Sequence, residues 1–345
     1  MSDRQGFDFE HFYFRELHPD IFIGTASDRY LGWVGQIYSE DRYKGRISSR
    51  SKKIKGRTFQ EDVLPVESVE EYFNHFRILE IDYTFYGFLL TADGEATQNF
   101  HVLSRYKSHL KEDDYLLLKV PQSIFAQKIL NAGKYIANED YLNVKAFIER
   151  FYEPALTLLG SNLKGFIFEQ EYQRRGERIS ASELARSLDF FFNSIYPDPR
   201  YHVELRTESY LTPVVFDVLE KHGVGQVLSH WSWLPPLAKQ FAKSGGRFLN
   251  AERQCIIRLM TPLGIRYEDA YAQAHPFSKL VEGMLQPEMI EETARIMWAG
   301  IEQEVTVNVI VNNRAGGNAP LIAKRIAEAF TTAKPQSGSK TEKNE

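Results

Sequence analysis

The sequence predicts an α/β protein: a single (β/α)8 barrel of the TIM type, with long loops after strands one and seven. Three observations carry that expectation. Eight apolar runs of strand length recur along the 345 residues, each followed by a helical pattern, and strands alternating with helices pair in parallel through crossovers. Several of these strands carry charges two residues apart, which puts the charges on one face. An open doubly wound sheet, the main rival, would hold fewer inward charges. No Pro/Gly-rich linker or short repeat divides the chain, and insertions account for its excess over the ~250 residues of a plain barrel.

In chain order the strands are expected at Ile21–Thr25, Ile78–Tyr83, Tyr115–Val120, Gly165–Phe168, Tyr201–Arg206, Gln226–His230, Gln254–Leu259 and Val305–Asn312. A helix over Val66–Phe76 carries Ser68 and Glu71 at capping-box spacing. Asp140–Leu159 is a long amphipathic stretch closed by Gly160. Ser180–Ser194 opens on a second capping box, Ser180 with Glu183. Thr212-Pro213 starts another helix, with proline where its missing N–H is harmless. Ile290–Glu304 and Asn318–Ala333 complete the set. Residues 1–20 read as an N-terminal extension, 21–333 as the barrel and 334–345 as a polar, disordered tail.

Composition narrows the function classes. The chain is 43% hydrophobic and 26% charged, which excludes a disordered or fibrous protein. Lys and Arg number 42 against 46 Asp and Glu, so no global basic field exists to hold nucleic acid. The single cysteine, Cys255, excludes an intrachain disulfide framework and a thiolate metal cluster. No apolar run approaches the ~20 residues of a membrane span, and Met1–Glu10 has no hydrophobic signal core. A soluble, cytoplasmic protein without membrane contact is expected.

Glu80 and Asp82 share a strand face, as do Glu204 and Arg206, and Arg258 faces inward opposite Cys255. Lys119, Glu169 and His230 end their strands, and Asn312 ends the last. Charges at the carboxyl ends of barrel strands are where this fold keeps catalytic groups. The alternative is an ionic plug in which Glu204 pairs with Arg206 or Arg258, and Glu80 or Asp82 with Lys119, because a buried charge must be paired. Glu80 lies deepest and reads as structural. In the register assigned, Glu204 and Arg258 belong to one layer and should touch. The nine histidines show no zinc spacing, Ser229-His230 lacks a nucleophile elbow, and no Walker or dinucleotide motif names a cofactor, so neither a metal nor a nucleophilic triad is expected.

Asn312-Asn313-Arg314-Ala315-Gly316-Gly317-Asn318 runs from the last strand into the last helix. Its free N–H groups would welcome an anion, unless the segment is an ordinary capped glycine turn. Lys44–Arg57 holds no acid; it reads either as a solvated, mobile loop or as a contact for nucleic acid. Tyr30, Trp33, Tyr38 and Tyr43 around it, and Trp231 with Trp233 after strand six, offer stacking surfaces at the same mouth.

Several segments resemble one family. Ile23-Gly24-Thr25 followed by Tyr30-Leu-Gly-Trp33, Glu80-Ile-Asp-Tyr-Thr-Phe-Tyr86, Lys119-Val-Pro121, Val203-Glu-Leu-Arg206 and Asn312-Asn313 are similar to signatures of the YecE-like barrel proteins, a domain-of-unknown-function family. The resemblance spans Ile21 to Phe330 and implies a TIM-type barrel with no established reaction. Trp33 and Tyr86, which lie in these segments, are among the candidate ligand contacts. The chain departs from the family pattern at Ala26-Ser27-Asp28, where Ser-Gly-Trp is usual, and at Met260, where histidine is common; the basic loop looks like an insertion.

The expected function is an enzyme, a hydrolase or isomerase, acting on a small anionic ligand, phosphorylated or sugar-like, at the barrel mouth. Arg206, Arg258, Asn312, Asn313, Gly316, Gly317, His230, Tyr86 and Trp33 would bind it, and Glu204, Asp82 and Lys119 would do the chemistry. A nucleic-acid-binding or -processing barrel using Lys44–Arg57, or a non-catalytic binding protein, is the alternative.

Overall fold

The computed structural model describes residues 8–131 and 134–333; the tail expected to be disordered lies outside the described residues. Twelve strands run β1 Ile21–Ala26, β2 Ser48–Ile54, β3 Arg57–Val63, β4 Ile78–Ile81, β5 Tyr115–Lys119, β6 Lys128–Asn131, β7 Lys134–Ala137, β8 Leu163–Gln170, β9 Tyr201–Leu205, β10 Gly225–His230, β11 Gln254–Leu259 and β12 Thr306–Val311. Eight of them close in the order β1-β12-β11-β10-β9-β8-β5-β4, with β4 returning to β1, and every neighbour in the ring is parallel. All eight barrel strands stand within two residues of their expected ends.

The helices are α1 Val69–His75, α2 Gln98–Lys107, α3 Gln122–Phe125, α4 Val144–Phe147, α5 Glu153–Leu159, α6 Ala181–Ser194, α7 Pro213–Lys221, α8 Leu237–Lys243, α9 Tyr267–Ala274, α10 Pro287–Glu302 and α11 Ala319–Thr332. Ser180 and Glu183 cap α6 reciprocally, and Pro213 stands at the first turn of α7. Ser68 and Glu71 do not form the expected box. Ser68 is itself helical and makes no cap bond, because the Glu71 carboxylate turns away to the Ser39 amide at 2.8 Å and to Arg42 at 2.9 Å. The stretch expected as one helix over Asp140–Leu159 is α4, a π-helical turn at Ile148–Tyr152 and α5. Pro154 has no N–H for the Arg150 carbonyl, and that carbonyl accepts instead from Leu89 and Leu90, both at 3.1 Å.

The outward strand faces pack under the helices, with Phe147, Phe166, Phe168, Phe191 and Tyr201 forming one aromatic block. The N-terminal extension is anchored at the opposite end from the mouth: Arg15 bonds Asp113 and Asp114, just before β5, and the Phe73 and Phe76 carbonyls.

Much of the long loop after β1 has regular structure. It folds into the antiparallel hairpin β2–β3, paired from Ser48↔Val63 to Ile54↔Arg57. Its two-residue turn, Lys55-Gly56, has φ of 48° and 77°, the doubly left-handed turn that suits the twist of a hairpin. Ile54 and Phe59 pack on Ala270, Tyr271, Ala274 and Phe277, so this hairpin and α9 roof one side of the mouth together. The hairpin β6–β7 after β5 was likewise without a counterpart in the sequence pattern.

Candidate active site at the barrel mouth

Within the lumen three carboxylates meet three cations. Arg258 on β11 donates to Glu80 on β4 through Nε at 2.7 Å and Nη2 at 2.6 Å. Its Nη1 contacts Glu204 on β9 and lies 3.4 Å from Glu169 on β8. Lys119 Nζ sits 2.5 Å from Glu169, and Arg206 bridges Glu169 at 2.7 Å and Glu204 at 3.4 Å. Glu204 and Arg258 thus meet inside the barrel, as the alternation of strand faces requires. Burial disfavours ionisation of Glu169, but Arg206, Lys119 and Arg258 outweigh it and hold the carboxyl at about 2. Glu204 is also kept below the ordinary carboxylate range: burial raises it, and the Arg206 and Arg258 guanidiniums pull it down further.

Arg206 and Arg258, expected to hold a ligand anion, and Lys119, expected to act in the chemistry, are therefore engaged by carboxylates. Lys119 also lies 3.8 Å above the Phe85 ring, and Arg206 5.1 Å over Trp231. His230 shares its strand face with Gln226 and Leu228, which pack near Phe241 under α8; it does not join the lumen. Its Nδ1 is 2.8 Å from the Thr261 carbonyl, and burial lowers the ring to about 4, so it is neutral at pH 7.

The glycine loop is filled. The Asn313 carboxamide oxygen accepts from Trp33 Nε1 at 3.1 Å and from the Ala319 amide at 2.7 Å. Asn318 caps the Leu321 amide at 2.9 Å, Pro320 has no N–H, and the Ile322 amide bonds the Asn318 carbonyl. The amides of Ala319, Leu321 and Ile322, at the helix start where an anion was expected, are thus satisfied. The Gly316 carbonyl accepts from Val281, and a Cβ on Gly317, at φ +112°, would lie 2.3 Å from the Lys279 carbonyl. Asn312 receives the Arg314 amide at 3.0 Å. Trp33 is wholly buried, whereas Tyr86 is 72% exposed at the lip.

Beside this lumen lies a cavity of about 620 Å³, bounded by the hairpin, α9 and the ends of β1, β4 and β12. Asp82 and Tyr86 line it, with Glu80 at its floor. β4 stops at Ile81 and Asp82 opens a short 3₁₀ turn; it lines the same cavity as Glu80 and makes no ion pair among the described residues.

Of the rest of the lining, sequence reasoning named Tyr30 and the basic segment with Arg50 and Lys52 but missed Asp28, Arg29 and Arg314. Asp28 is 2% exposed; its Oδ1 accepts from the Tyr106 hydroxyl at 2.8 Å and its Oδ2 has no partner. Burial raises its carboxyl to about 6, against the opposing pull of Arg29 and Tyr106. Arg29 and Arg314 form no ion pair among the described residues. Arg29 donates to the Leu64 carbonyl at 3.3 Å, and Arg314 to the Tyr267 hydroxyl at 3.0 Å, while Arg314 Nε is buried without a partner. Tyr30, Tyr83, Tyr106, Tyr267 and Tyr271 present rings and hydroxyls. Asp28 and Arg314 each stand just past a strand end, and that position in a barrel is the one signal that marked them.

The hairpin cations are largely matched: Arg50 and Lys52 by Glu61, Lys55 by Asp269, and before them Lys44 by Asp41 and Arg46 by Glu67. Such matching weakens the field a polyanion would need. Among the described residues no group of three or more His, Cys, Asp or Glu side chains is placed to hold a metal ion, and no helix is long and apolar enough to cross a membrane.

A family model described as "Protein of unknown function DUF72" matches residues 22–345. The fold is shared with two solved structures of DUF72 family proteins. One, from Enterococcus faecalis V583, has a TM-score of 0.55 at 15% identity and covers 90% of this chain and 95% of its own. The other, from Thermotoga maritima MSB8, has a TM-score of 0.54 at 14% identity and covers 90% and 99%. Among curated proteins none matches the chain.

Proposed function

This chain belongs to the DUF72 family of proteins of unknown function, and from that premise we propose that it is an enzyme for a small anionic ligand, phosphorylated or sugar-like, bound in the cavity beside the charged lumen. One observation carries the reading. Arg29 and Arg314, two guanidiniums that form no ion pair among the described residues, line the same cavity as Asp28 and Asp82, two carboxyls that likewise form none. Separate charges of both signs around one space suit a ligand that brings an anion and hydroxyls together. Tyrosine rings supply flat apolar faces for a sugar or similar ring. Asp82 serves as a base, and hydrolysis and isomerisation both use such a group.

On this reading the six lumen charges form the rigid floor of the site and do not contact the ligand's anion. The single buried thiol, Cys255, suits a reducing compartment, in keeping with a cytoplasmic enzyme.

The test is a thermal-shift and calorimetric screen of sugar phosphates, sugar acids and phosphoesters on the wild type and on Arg314→Met. A charge-assisted hydrogen bond contributes about 1.5–3 kcal/mol, so the variant should lose roughly ten- to a hundredfold in affinity for any hit. Equal affinities in the two proteins would move the anion away from Arg314 and sink the reading.

A further inference from the structure

We propose that Tyr172 and Trp233 form a stacking platform for a sugar ring at the far side of the barrel mouth. The ligand is then an oligosaccharide whose chain continues beyond the cavity. The inference rests on the reading of the mouth as a site for a sugar-like ligand, and adds to it the ligand's length and a second place of contact. Tyr172 follows β8, and Trp231 and Trp233 follow β10. Flat groups pack there in series. The Arg206 guanidinium lies 5.1 Å from the centre of the Trp231 ring. Tyr172 stands 5.8 Å from Trp231 and 5.9 Å from Trp233, tilted 31° to the latter. Exposure rises along the series, from 8% at Trp231 to 44% at Tyr172 and 42% at Trp233.

Two large aromatic side chains lying side by side and open to solvent, at the face where a barrel keeps its active site, mark a contact surface. The Trp233 indole N–H and the Tyr172 hydroxyl make no hydrogen bond among the described residues. The surface is thus an apolar plate with free polar edges. A pyranose ring has the matching parts, a C–H face and a rim of hydroxyls. A protein partner would cover about 800 Å², far more than two half-exposed rings offer.

Platform and cavity are the two ends of one row along the barrel rim. Tyr86 lines the cavity, is 72% exposed and has its ring 5.4 Å from that of Phe85. Lys119 lies 3.8 Å above Phe85 and 2.5 Å from Glu169, which Arg206 meets at 2.7 Å. Trp231 and the platform follow. These groups stand on or just after β4, β5, β8, β9 and β10, which are successive neighbours in the ring. Their strand spacings add up to about 19 Å, a span of several linked sugar rings. Along the row Lys119 and Arg206 are already matched by Glu169 and Glu204. That suits uncharged sugar units better than the repeated phosphates of a nucleic-acid strand.

The test is calorimetry on the full chain with maltotetraose, cellotetraose, mannotetraose, xylotetraose and chitotetraose. The matching monosaccharides and octathymidylate are the controls. At least one tetrasaccharide should bind the wild type, roughly tenfold or more tighter than its monosaccharide. Trp233→Ala and Tyr172→Ala should each weaken it about three- to tenfold. Trp233→Phe should keep most of the affinity, and Arg314→Met should leave it unchanged. Both side chains are exposed, so the variants should melt with the wild type; Trp233→Ala decides if Tyr172→Ala does not fold.

No binding across the panel overturns the platform, as does equal affinity for a tetrasaccharide and its monosaccharide. Alanine variants that bind as the wild type does overturn it too. So does octathymidylate binding that exceeds every sugar and is lost in the same variants; Arg174 and Arg175, exposed in the loop that carries Tyr172, would then meet its phosphates. The two readings fail separately. Sugar phosphates that bind through Arg314 while the platform variants change nothing keep the anion site and remove the platform. Tetrasaccharides that need Trp233, with sugar phosphates indifferent to Arg314→Met, keep the platform and remove the anion site.

Discussion

Replacing Arg258 by methionine tests the charged lumen directly. The side chain is 1% exposed, makes two bonds to Glu80 and reaches Glu204 and Glu169. Methionine fills much of its volume and leaves three carboxylates facing two cations. Glu169 keeps Lys119 and Arg206, and Glu204 keeps Arg206; Glu80 has no other ion pair among the described residues. Breaking a buried pair by removing one partner costs about 3–5 kcal/mol, a large fraction of the 5–15 kcal/mol typical of a folded domain. The pH dependence gives a second, signed readout. In the wild type Glu169 and Glu204 are held below their unfolded values, so their contribution is complete above about pH 4.5 and is lost as pH falls toward 2. From these groups the stability of the wild type is flat between pH ~5 and ~8. In Arg258→Met an uncompensated carboxylate must take up a proton to stay buried, so stability should fall as pH rises over the same interval. Urea denaturation at the two pH values measures both effects. A loss below about 1 kcal/mol at either pH, or a profile parallel to the wild type, would refute the account of a tightly coupled lumen.

Asp28→Asn should raise stability above neutral pH. The folded carboxyl sits near 6 against 3.8 unfolded, so the native state holds more protons between those values and loses stability as pH rises through them. The variant should gain up to about 3 kcal/mol at pH ~8 and nothing at pH ~4; melting temperatures that differ equally at both would contradict this. Gly317→Ala forces a Cβ to 2.3 Å from the Lys279 carbonyl at a φ of +112° and should cost about 1–3 kcal/mol. Hydrogen exchange should quicken at the Val281 amide, which bonds the neighbouring Gly316 carbonyl; protection equal to the wild type would show that the segment is not held there.

The barrel was legible because each strand carries its own face assignment. In Cys255–Leu259 and Tyr201–Arg206 a residue type alternates with period two, and that period decides which side chains see the lumen. Glu204 and Arg258 could be paired from this alone. The period ends where the strand ends, and there the reading lost its hold: Asp82 turns out of the strand line into a 3₁₀ turn, and His230 belongs to the helix-facing row that begins with Gln226. Asp28, Arg29 and Arg314 sit in loops whose direction no repeat encodes. The glycines at 316 and 317 were visible as a tight turn, but Lys279–Val281, which packs against that turn, lies in a different loop. The hairpin was hidden because Ser48–Ile54 is polar on nearly every residue; its pairing is set by the Lys55-Gly56 turn and by an apolar partner more than two hundred residues away.

That partner has a consequence for how the chain is made. The hairpin leaves the ribosome with the first strand, while α9, which covers Ile54 and Phe59, arrives only after the seventh. During synthesis at about 5–20 residues per second, the two apolar side chains wait roughly ten seconds or more without their cover. Charges flank them, Arg50, Lys52 and Lys53 on β2, Lys55 in the turn and Glu61 and Asp62 on β3, and charged side chains along a strand edge discourage another chain from adding to it. Charged flanks of this kind protect a newborn chain, and the cavity under the hairpin is complete only when Arg314, just past the last strand, has been made.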